Sequence, residues 1–107
     1  MPTYIPAGFT LESYIDNNAE FELYYTDGKQ YFYFSTRNIY MGITLDTETA
    51  SYDFSHRING LSAIIEENRG MFTIMWQDDI TSFMLETNLS LDSALAIAAS
   101  YNLQENF

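Results

Sequence analysis

The chain has no cysteine and few basic residues, and these absences exclude several classes of protein. Of its 107 residues none is cysteine, one is histidine and four are lysine or arginine, against fifteen acidic residues. Without cysteine there are no disulfides, thiolate metal sites or cysteine nucleophiles. The basic residues are scattered, at Lys29, Arg37, Arg57 and Arg69, whereas nucleic-acid binding requires a clustered positive face. The sequence therefore predicts that the partner is neither a nucleic acid nor an anionic membrane surface.

Long apolar runs are also lacking. No stretch approaches the ~20 apolar residues of a membrane span, and the opening segment from Met1 to Pro6 lacks the basic start and apolar core of a signal peptide. Taken literally, the chain is expected to be soluble and cytoplasmic. If Met1 instead heads a domain taken from a longer protein, an anchor or signal lies upstream, and the sequence leaves both interpretations open.

What is present indicates a folded domain. Hydrophobic residues make up 47% of the chain and aromatic residues 17%, despite a net charge of -11. That proportion distinguishes the chain from a disordered acidic segment. A chain of this length forms one hydrophobic core and not two, so residues 1–107 are predicted to be a single domain.

Three short turn motifs divide the middle of the chain into hairpins. They are Asp27-Gly28, Asn59-Gly60 and the weaker Asp78-Asp79, and the segment 66–70 is predicted to be a further turn. Asp-Gly and Asn-Gly adopt the positive φ of two-residue hairpin loops, so they also predict the strand register. The cross-strand pairs predicted in this way are Thr26 with Lys29, Tyr24 with Tyr31, Phe21 with Phe34, Ile58 with Leu61, Phe54 with Ile65, Trp76 with Thr81, Ile74 with Phe83 and Phe72 with Leu85.

The period-two alternation of strands then assigns side chains to faces. In the first hairpin, one face is apolar and is predicted to lie in the core; it carries Phe21, Leu23, Tyr25, Phe32 and Phe34. The opposite face carries every charged residue of the hairpin together with three tyrosines: Glu20, Glu22, Tyr24, Lys29, Tyr31 and Tyr33.

The chain closes with a helix predicted over about residues 91–101, because apolar residues recur there at helical spacing after an N-cap serine, Ser90. Strands are also predicted at 10–15 and 39–45. The predicted fold is α+β, an antiparallel meander of about seven strands with one C-terminal helix packed on a face.

Four motifs support a resemblance to a known family. They are Pro2-x-Tyr4-Ile5-Pro6-x-Gly8-Phe9, Ile58-Asn59-Gly60, Ile74-x-Trp76, and the closing segment from Leu89 to Ala98. In these the chain resembles a bacterial family of domains of unknown function. In Gram-positive bacteria the family commonly forms the extracytoplasmic C-terminal domain of membrane-anchored, anti-sigma-factor-like or sporulation-related proteins. The resemblance implies a non-catalytic sensory or interaction domain. It also implies a membrane-anchored parent protein and an unidentified protein or cell-envelope ligand as partner.

Catalytic and metal-binding arrangements are not indicated by the residues, so no catalytic, cofactor-binding or metal-binding residue is assigned. His56 is predicted to be a core or semi-buried residue, with Asp53 and Ser55 on the opposite face of its strand. Glu66-Glu67 and Asp78-Asp79 are interpreted as solvated turns, because adjacent turn residues cannot flank a substrate as the two carboxylates of a glycosidase do. They also lack the alternating acidic loop of a calcium site.

Tyr24, Tyr31 and Tyr33 are the candidate binding residues. Tyrosines on the polar side of a hairpin provide amphipathic contact groups of low conformational entropy. The alternative is that they are ordinary cross-strand aromatic pairs or lie under another element. Four methionines are predicted to fill gaps beneath the helix, the alternative being an adaptable binding surface: Met41, Met71, Met75 and Met84.

Two functional hypotheses remain. The first is a non-catalytic extracytoplasmic sensor or protein-interaction domain, for which a filled core and an open tyrosine face are expected. The second is a carrier or binding domain that holds an apolar ligand between a curved sheet and the helix, for which a large apolar cavity is expected.

Overall fold

The computed structural model describes residues 4–16, 20–38, 51–78 and 81–100. Within these ranges the chain forms seven strands and one helix. In chain order they are β1 (Thr10–Asp16), β2 (Glu20–Thr26), β3 (Tyr31–Asn38), β4 (Ser51–Ile58), β5 (Leu61–Asn68), β6 (Met71–Gln77), β7 (Thr81–Thr87) and α1 (Leu91–Ser100). The predicted strand at residues 39–45 and Met41 lie outside the described residues.

All seven strands belong to one antiparallel sheet in the order β1-β2-β3-β7-β6-β5-β4. The predicted α+β fold with a C-terminal helix is thereby confirmed. The strand order departs from a single meander at one place, because β3 pairs with β7 and not with β4. The sheet therefore consists of two meanders, β1–β3 and β4–β7, joined through β3 and β7.

One face of the sheet is covered by α1, and the core lies between them. Trp76 is 3% exposed and its ring stacks on Phe83 with centroids 5.3 Å apart. From the helix, Ala94, Ile97 and Ala98 are completely buried against these strands. The lead-in segment adds Phe9, which stacks on Phe32 at 5.8 Å. All five residues predicted for the apolar face of the first hairpin join this cluster: Leu23, Tyr25, Phe32 and Phe34 are buried, and Phe21 packs against them.

The register of the Asn59-Gly60 hairpin is confirmed at the turn. Ile58 pairs with Leu61, and both turn residues have positive φ, 52° at Asn59 and 84° at Gly60. Further from the turn the predicted pairing of Phe54 with Ile65 is wrong, since Ile65 pairs with Asp53. An irregularity between Asp53 and His56 inserts an extra residue into β4 and shifts the pairing beyond it.

The other two predicted registers are wrong by two residues, for a shared reason. Thr26 pairs with Tyr31 and not with Lys29, and Trp76 pairs with Phe83 and not with Thr81. In both hairpins the first aspartate precedes the loop: the backbone N–H of Asp27 donates to the carbonyl of Gln30 (3.1 Å), and that of Asp78 to the carbonyl of Thr81 (3.0 Å).

The side chains of these aspartates complete the turns. Asp27 Oδ1 accepts the backbone N–H of Gln30 at 2.7 Å, and Asp78 Oδ1 accepts that of Thr81 at 2.8 Å. The N–H groups of Gln30 and Lys29 hold the pKa of the Asp27 carboxyl below its ordinary value. Because a shift of two residues preserves the alternation of strands, the faces were assigned correctly although the partners were not.

Candidate functional site

The sheet face opposite the helix, called here the outer face, carries the three candidate tyrosines. Tyr24 on β2 pairs with Tyr33 on β3, and Tyr33 pairs in turn with Glu86 on β7. Glu86 pairs with Thr73 on β6, and Thr73 with Glu66 on β5. These pairs place five side chains in one line across five strands, called here the cross-strand row. All three tyrosines are half-buried.

Tyr31 lies beside the cross-strand row and is held there by the junction between β7 and α1. Its backbone N–H donates to Asn88 Oδ1 at 2.9 Å, and its carbonyl accepts the hydroxyl of Thr87 at 2.6 Å. Its ring stacks on that of Tyr24, with centroids 5.8 Å apart and 17° between the planes. The backbone of Tyr31 is thus fixed by residues distant in sequence, and its ring by stacking within the first hairpin.

Two of the tyrosines donate to glutamates on neighbouring strands. Tyr31 Oη donates to Glu86 Oε2 at 3.0 Å, and Tyr33 Oη donates to Glu22 Oε1. Partial burial, followed by these hydrogen bonds, raises the pKa of Tyr31 and of Tyr33 to about 12. Both phenols therefore remain neutral near physiological pH, where they act as hydrogen-bond donors and apolar rings.

The β2 side of the outer face contains a basic side chain. Arg37 Nε lies 3.7 Å from Glu20 Oε2, and Arg37 Nη2 lies 3.8 Å from Glu22 Oε2. Glu22 thus accepts from Tyr33 and also faces a guanidinium. Glu86 has no such basic neighbour within 4.0 Å among the described residues.

A surface groove of about 400 Å³ lies on the β5–β7 side of the tyrosines. Its lining contains two carboxylates and one guanidinium among six residues: Glu66, Asn68, Arg69, Met71, Thr73 and Glu86. The Met71 sulfur lies 3.8 Å from Tyr31 Oη, so Tyr31 stands at the border between the groove and the other tyrosines.

A much smaller hollow of about 40 Å³ lies on the other side of the tyrosines, toward the edge strand β1. Glu22, Tyr24 and Tyr33 contribute to its wall together with β1 residues. On β1 the apolar side chain of Ile15 is 45% exposed next to Glu22, with which it pairs. The tyrosines consequently lie between two depressions, each containing a glutamate bound by a tyrosine hydroxyl.

The interpretation of Glu66 and Glu67 as turn residues is wrong. Both lie in β5, which continues to Asn68, and the turn is formed by Arg69 and Gly70 with φ of 56° and 81°. Glu66 pairs with Thr73 and Glu67 with Phe72, so they point to opposite faces of the sheet. The predicted turn segment 66–70 contains this turn, but arginine rarely adopts a positive φ, so the residue type did not mark Arg69 as its first residue.

For Met71, Met75 and Met84, the prediction that they fill gaps beneath the helix is also wrong. Met75 alternates with Ile74 and Trp76, which lie in the core cluster, so Met75 and its pairing partner Met84 lie on the outer face. Met71 is 36% exposed on the same face, whereas Met75 is only 4% exposed. The helix covers aromatic and branched side chains instead.

Of the remaining candidates, His56 is half-buried and pairs with Ala63, a core residue. The strict alternation that predicted Asp53 on the opposite face does not hold, because the strand is irregular between Asp53 and His56. The side chain of Asp53, and all of Asp79, lie outside the described residues. In the described part of the chain, no group of three or more histidine or acidic side chains is arranged to hold a metal ion.

Sequence reasoning missed Glu86 and the groove. Glu86 meets Tyr31 and Tyr33 through the pairing of β3 with β7, which lie about fifty residues apart in the chain. Alternation within one hairpin carries no information about such a pairing. The sequence alone shows Thr73 and Glu86 as polar residues alternating with apolar ones. It does not show that they lie in one line with the tyrosines.

Fold and surface together define a small α+β domain in which a helix covers one sheet face and the opposite face carries half-buried tyrosines and carboxylates. Over residues 1–100 the chain matches the model of a family described as Domain of unknown function (DUF4367), and it belongs to that family. No curated protein and no solved structure matches the chain. Among the described helical residues, none forms a helix with the length and apolar character needed to cross a membrane.

Proposed function

We propose that this domain is a non-catalytic, extracytoplasmic sensor or protein-interaction module of a membrane-anchored bacterial protein. Its contact surface is the outer face around Tyr24, Tyr31 and Tyr33. The observation that carries the proposal is the fixed array of half-buried tyrosines, two of which bind glutamates from neighbouring strands.

This array has the properties of a contact surface. Tyrosine rings bury large apolar areas at low entropic cost and keep a polar group for hydrogen bonding, which is why they are enriched at interfaces. The stacking of Tyr24 on Tyr31 and the hydroxyl bonds to Glu22 and Glu86 fix the rings before any partner arrives. Such preorganisation lowers the entropic cost of binding.

The described part of the helix side gives less support to the carrier hypothesis. Ile97 and Ala98 of the helix, and Phe32, Phe34 and Leu85 of the sheet, are completely buried there. The groove and the smaller hollow, by contrast, are lined by tyrosines or their neighbours on the outer face.

The non-catalytic character is supported by the chemistry of the outer face. A pKa of about 12 makes Tyr31 and Tyr33 poor bases and poor nucleophiles near neutral pH. The single histidine of the chain pairs with a core residue on β5, on the helix side of the sheet.

The extracytoplasmic placement rests on the family resemblance. A direct measurement is labelling of intact cells that express the natural full-length protein, using an amine reagent that does not cross membranes. Labelling of Lys29, which is exposed next to the first turn, is expected in intact cells. Protection in intact cells with labelling after lysis would overturn the placement but not the contact surface.

Site-specific photo-crosslinking in the native organism tests the contact surface. A photo-reactive phenylalanine derivative replaces Tyr24, Tyr31 or Tyr33 in turn, and the matched control carries it at Ala96, which is exposed on the helix. The tyrosine positions are expected to crosslink to the same partner protein, and position 96 is not. Equal crosslinking at position 96 would remove the outer face as the contact surface.

A further inference from the structure

We propose that the outer face binds a basic segment of a partner protein, with a lysine or arginine side chain occupying the groove between Glu66 and Glu86. This inference rests on the proposed function and specifies the chemistry of the partner. It starts from the composition of the groove, which opens next to Tyr31 and has a volume of about 400 Å³.

The groove has the charge that a basic side chain requires. Glu66 and Glu86 belong to the same cross-strand row, separated by Thr73 on the strand between them. With neighbouring strands about 4.8 Å apart, the two backbones are roughly 10 Å apart, which leaves room for one cationic group between the side chains. Arg69 is the one basic residue of the lining, so carboxylates outnumber it there by two to one.

The groove also matches the stem of a long basic side chain. Met71 lies in the wall, is 36% exposed and touches Tyr31 Oη through its sulfur. Lysine and arginine lay their methylene groups on apolar surface while the charged head stays with polar groups. Methionine adapts its shape to such a stem.

The charge of the whole chain selects against other occupants of this face. A second copy carries the same net charge of -11 and would be repelled. An anionic lipid surface or a nucleic acid would be repelled for the same reason. A basic segment, by contrast, is attracted from a distance and finds carboxylates at Glu66, Glu86 and Glu22 along the tyrosines.

The test is a titration of the purified domain with a blocked peptide containing Lys-Ala-Ala-Lys, followed by amide chemical shifts in ¹H–¹⁵N spectra. Because residues three apart in an extended peptide point to opposite sides, one lysine is expected to enter the groove while the other remains in solvent. The amides of Tyr33, Thr73 and Glu86 are expected to shift. The same peptide with glutamate in place of lysine is expected to leave them unchanged.

Glu66 and Glu67 provide a matched pair of variants. Both lie on β5, but Glu66 is on the outer face with Thr73 and Glu67 is on the helix side with Phe72. Glu66→Gln is expected to weaken the binding of the lysine peptide by about threefold, the size of a partly exposed ion pair. Glu67→Gln makes the same change in net charge and is expected to leave the affinity unchanged.

Arg69 supplies a variant with the opposite sign. Arg69→Asn removes the positive charge of the groove, and asparagine accepts the positive φ of 56° at this position. The lysine peptide is therefore expected to bind about threefold more tightly. Arginine at this position opposes the ligand, so weaker binding would contradict the inference.

Three further outcomes would overturn the inference. In the first, Glu67→Gln weakens binding as much as Glu66→Gln, which indicates diffuse attraction to the whole chain. In the second, the glutamate peptide shifts the outer-face amides as strongly as the lysine peptide. In the third, the lysine peptide shifts none of them. If the glutamate peptide shifts the outer-face amides, the outer face is still a contact surface and only the preference for a basic ligand is wrong. After either of the other two outcomes, the crosslinking experiment tests separately whether the outer face is a contact surface.

Discussion

Tyr31 and Tyr33 each carry a phenol whose ionisation the fold resists. Partial burial and the bonds to Glu86 and Glu22 raise their pKa to about 12 from an ordinary value of 10.0. The folded protein therefore holds these protons more tightly than the unfolded chain. The corresponding stability is fully present below about pH 10 and is lost as the pH rises toward about 12. Absorbance of tyrosinate against pH, together with denaturant unfolding at each pH, measures both effects.

Glu86→Gln separates the two tyrosines in that experiment. Glutamine still accepts a hydrogen bond from Tyr31 but removes the negative charge, so the pKa of Tyr31 is expected to fall toward its ordinary value. Tyr33, which donates to Glu22, is the internal control and is expected to keep its raised pKa. A Tyr31 that ionises near pH 10 in the unaltered protein would show that neither its partial burial nor its bond to Glu86 persists in solution.

The start of the helix is the junction on which the placement of Tyr31 depends. Ser90 Oγ accepts the backbone N–H of Ser93 at 3.3 Å, the geometry of an N-cap. Just before it, Thr87 and Asn88 bond the backbone of Tyr31. Ser90→Ala is expected to lower the free energy of unfolding by about 1 kcal/mol, whereas Ser90→Asp retains a cap and is expected to stay within about 0.5 kcal/mol of the original. Urea unfolding measures both variants. Equal losses in the two would indicate that the cap contributes nothing.

The turns and strands show how much of the strand pairing can be predicted from the sequence. Asn59-Gly60 specifies its loop because both residues take a positive φ, and there the predicted pairing of Ile58 with Leu61 is confirmed. At Asp27 the residue type is correct for a turn, but Asp27 precedes the loop and its carboxylate accepts the N–H of Gln30 on the other side, which moves every pair by two residues. The prediction that Tyr24, Tyr31 and Tyr33 share one face is nevertheless correct, because a register shift of two residues leaves each side chain on the same face of the sheet. Their glutamate partner Glu86 required the pairing of β3 with β7, for which no local signal exists.

At the scale of the whole molecule, the two sheet faces differ in how they use apolar surface. The helix side buries Trp76, Phe83 and Ile97 in a continuous cluster. The outer face mixes half-buried tyrosines with carboxylates, so around the tyrosines it is partly accessible to water without being purely polar. We therefore propose different roles for the two faces: the helix side stabilises the fold, and the outer face binds a partner.

The net charge of -11 links that stability to the salt concentration. Repulsion among carboxylates destabilises the compact state, and screening shortens its range from about 30 Å at 0.01 M salt to about 8 Å at 0.15 M. The melting temperature is therefore expected to rise over this range, equally in sodium and potassium chloride because the effect is general screening. A melting temperature that falls would mean that attractive pairs such as Arg37 with Glu22 outweigh the repulsion.

The affinity for the lysine peptide is expected to fall as the salt concentration rises, since the ions that relieve repulsion within the domain also weaken its attraction for a basic ligand. If the melting temperature and the affinity instead rise together with salt, the binding of the peptide does not depend on the negative charge of the outer face.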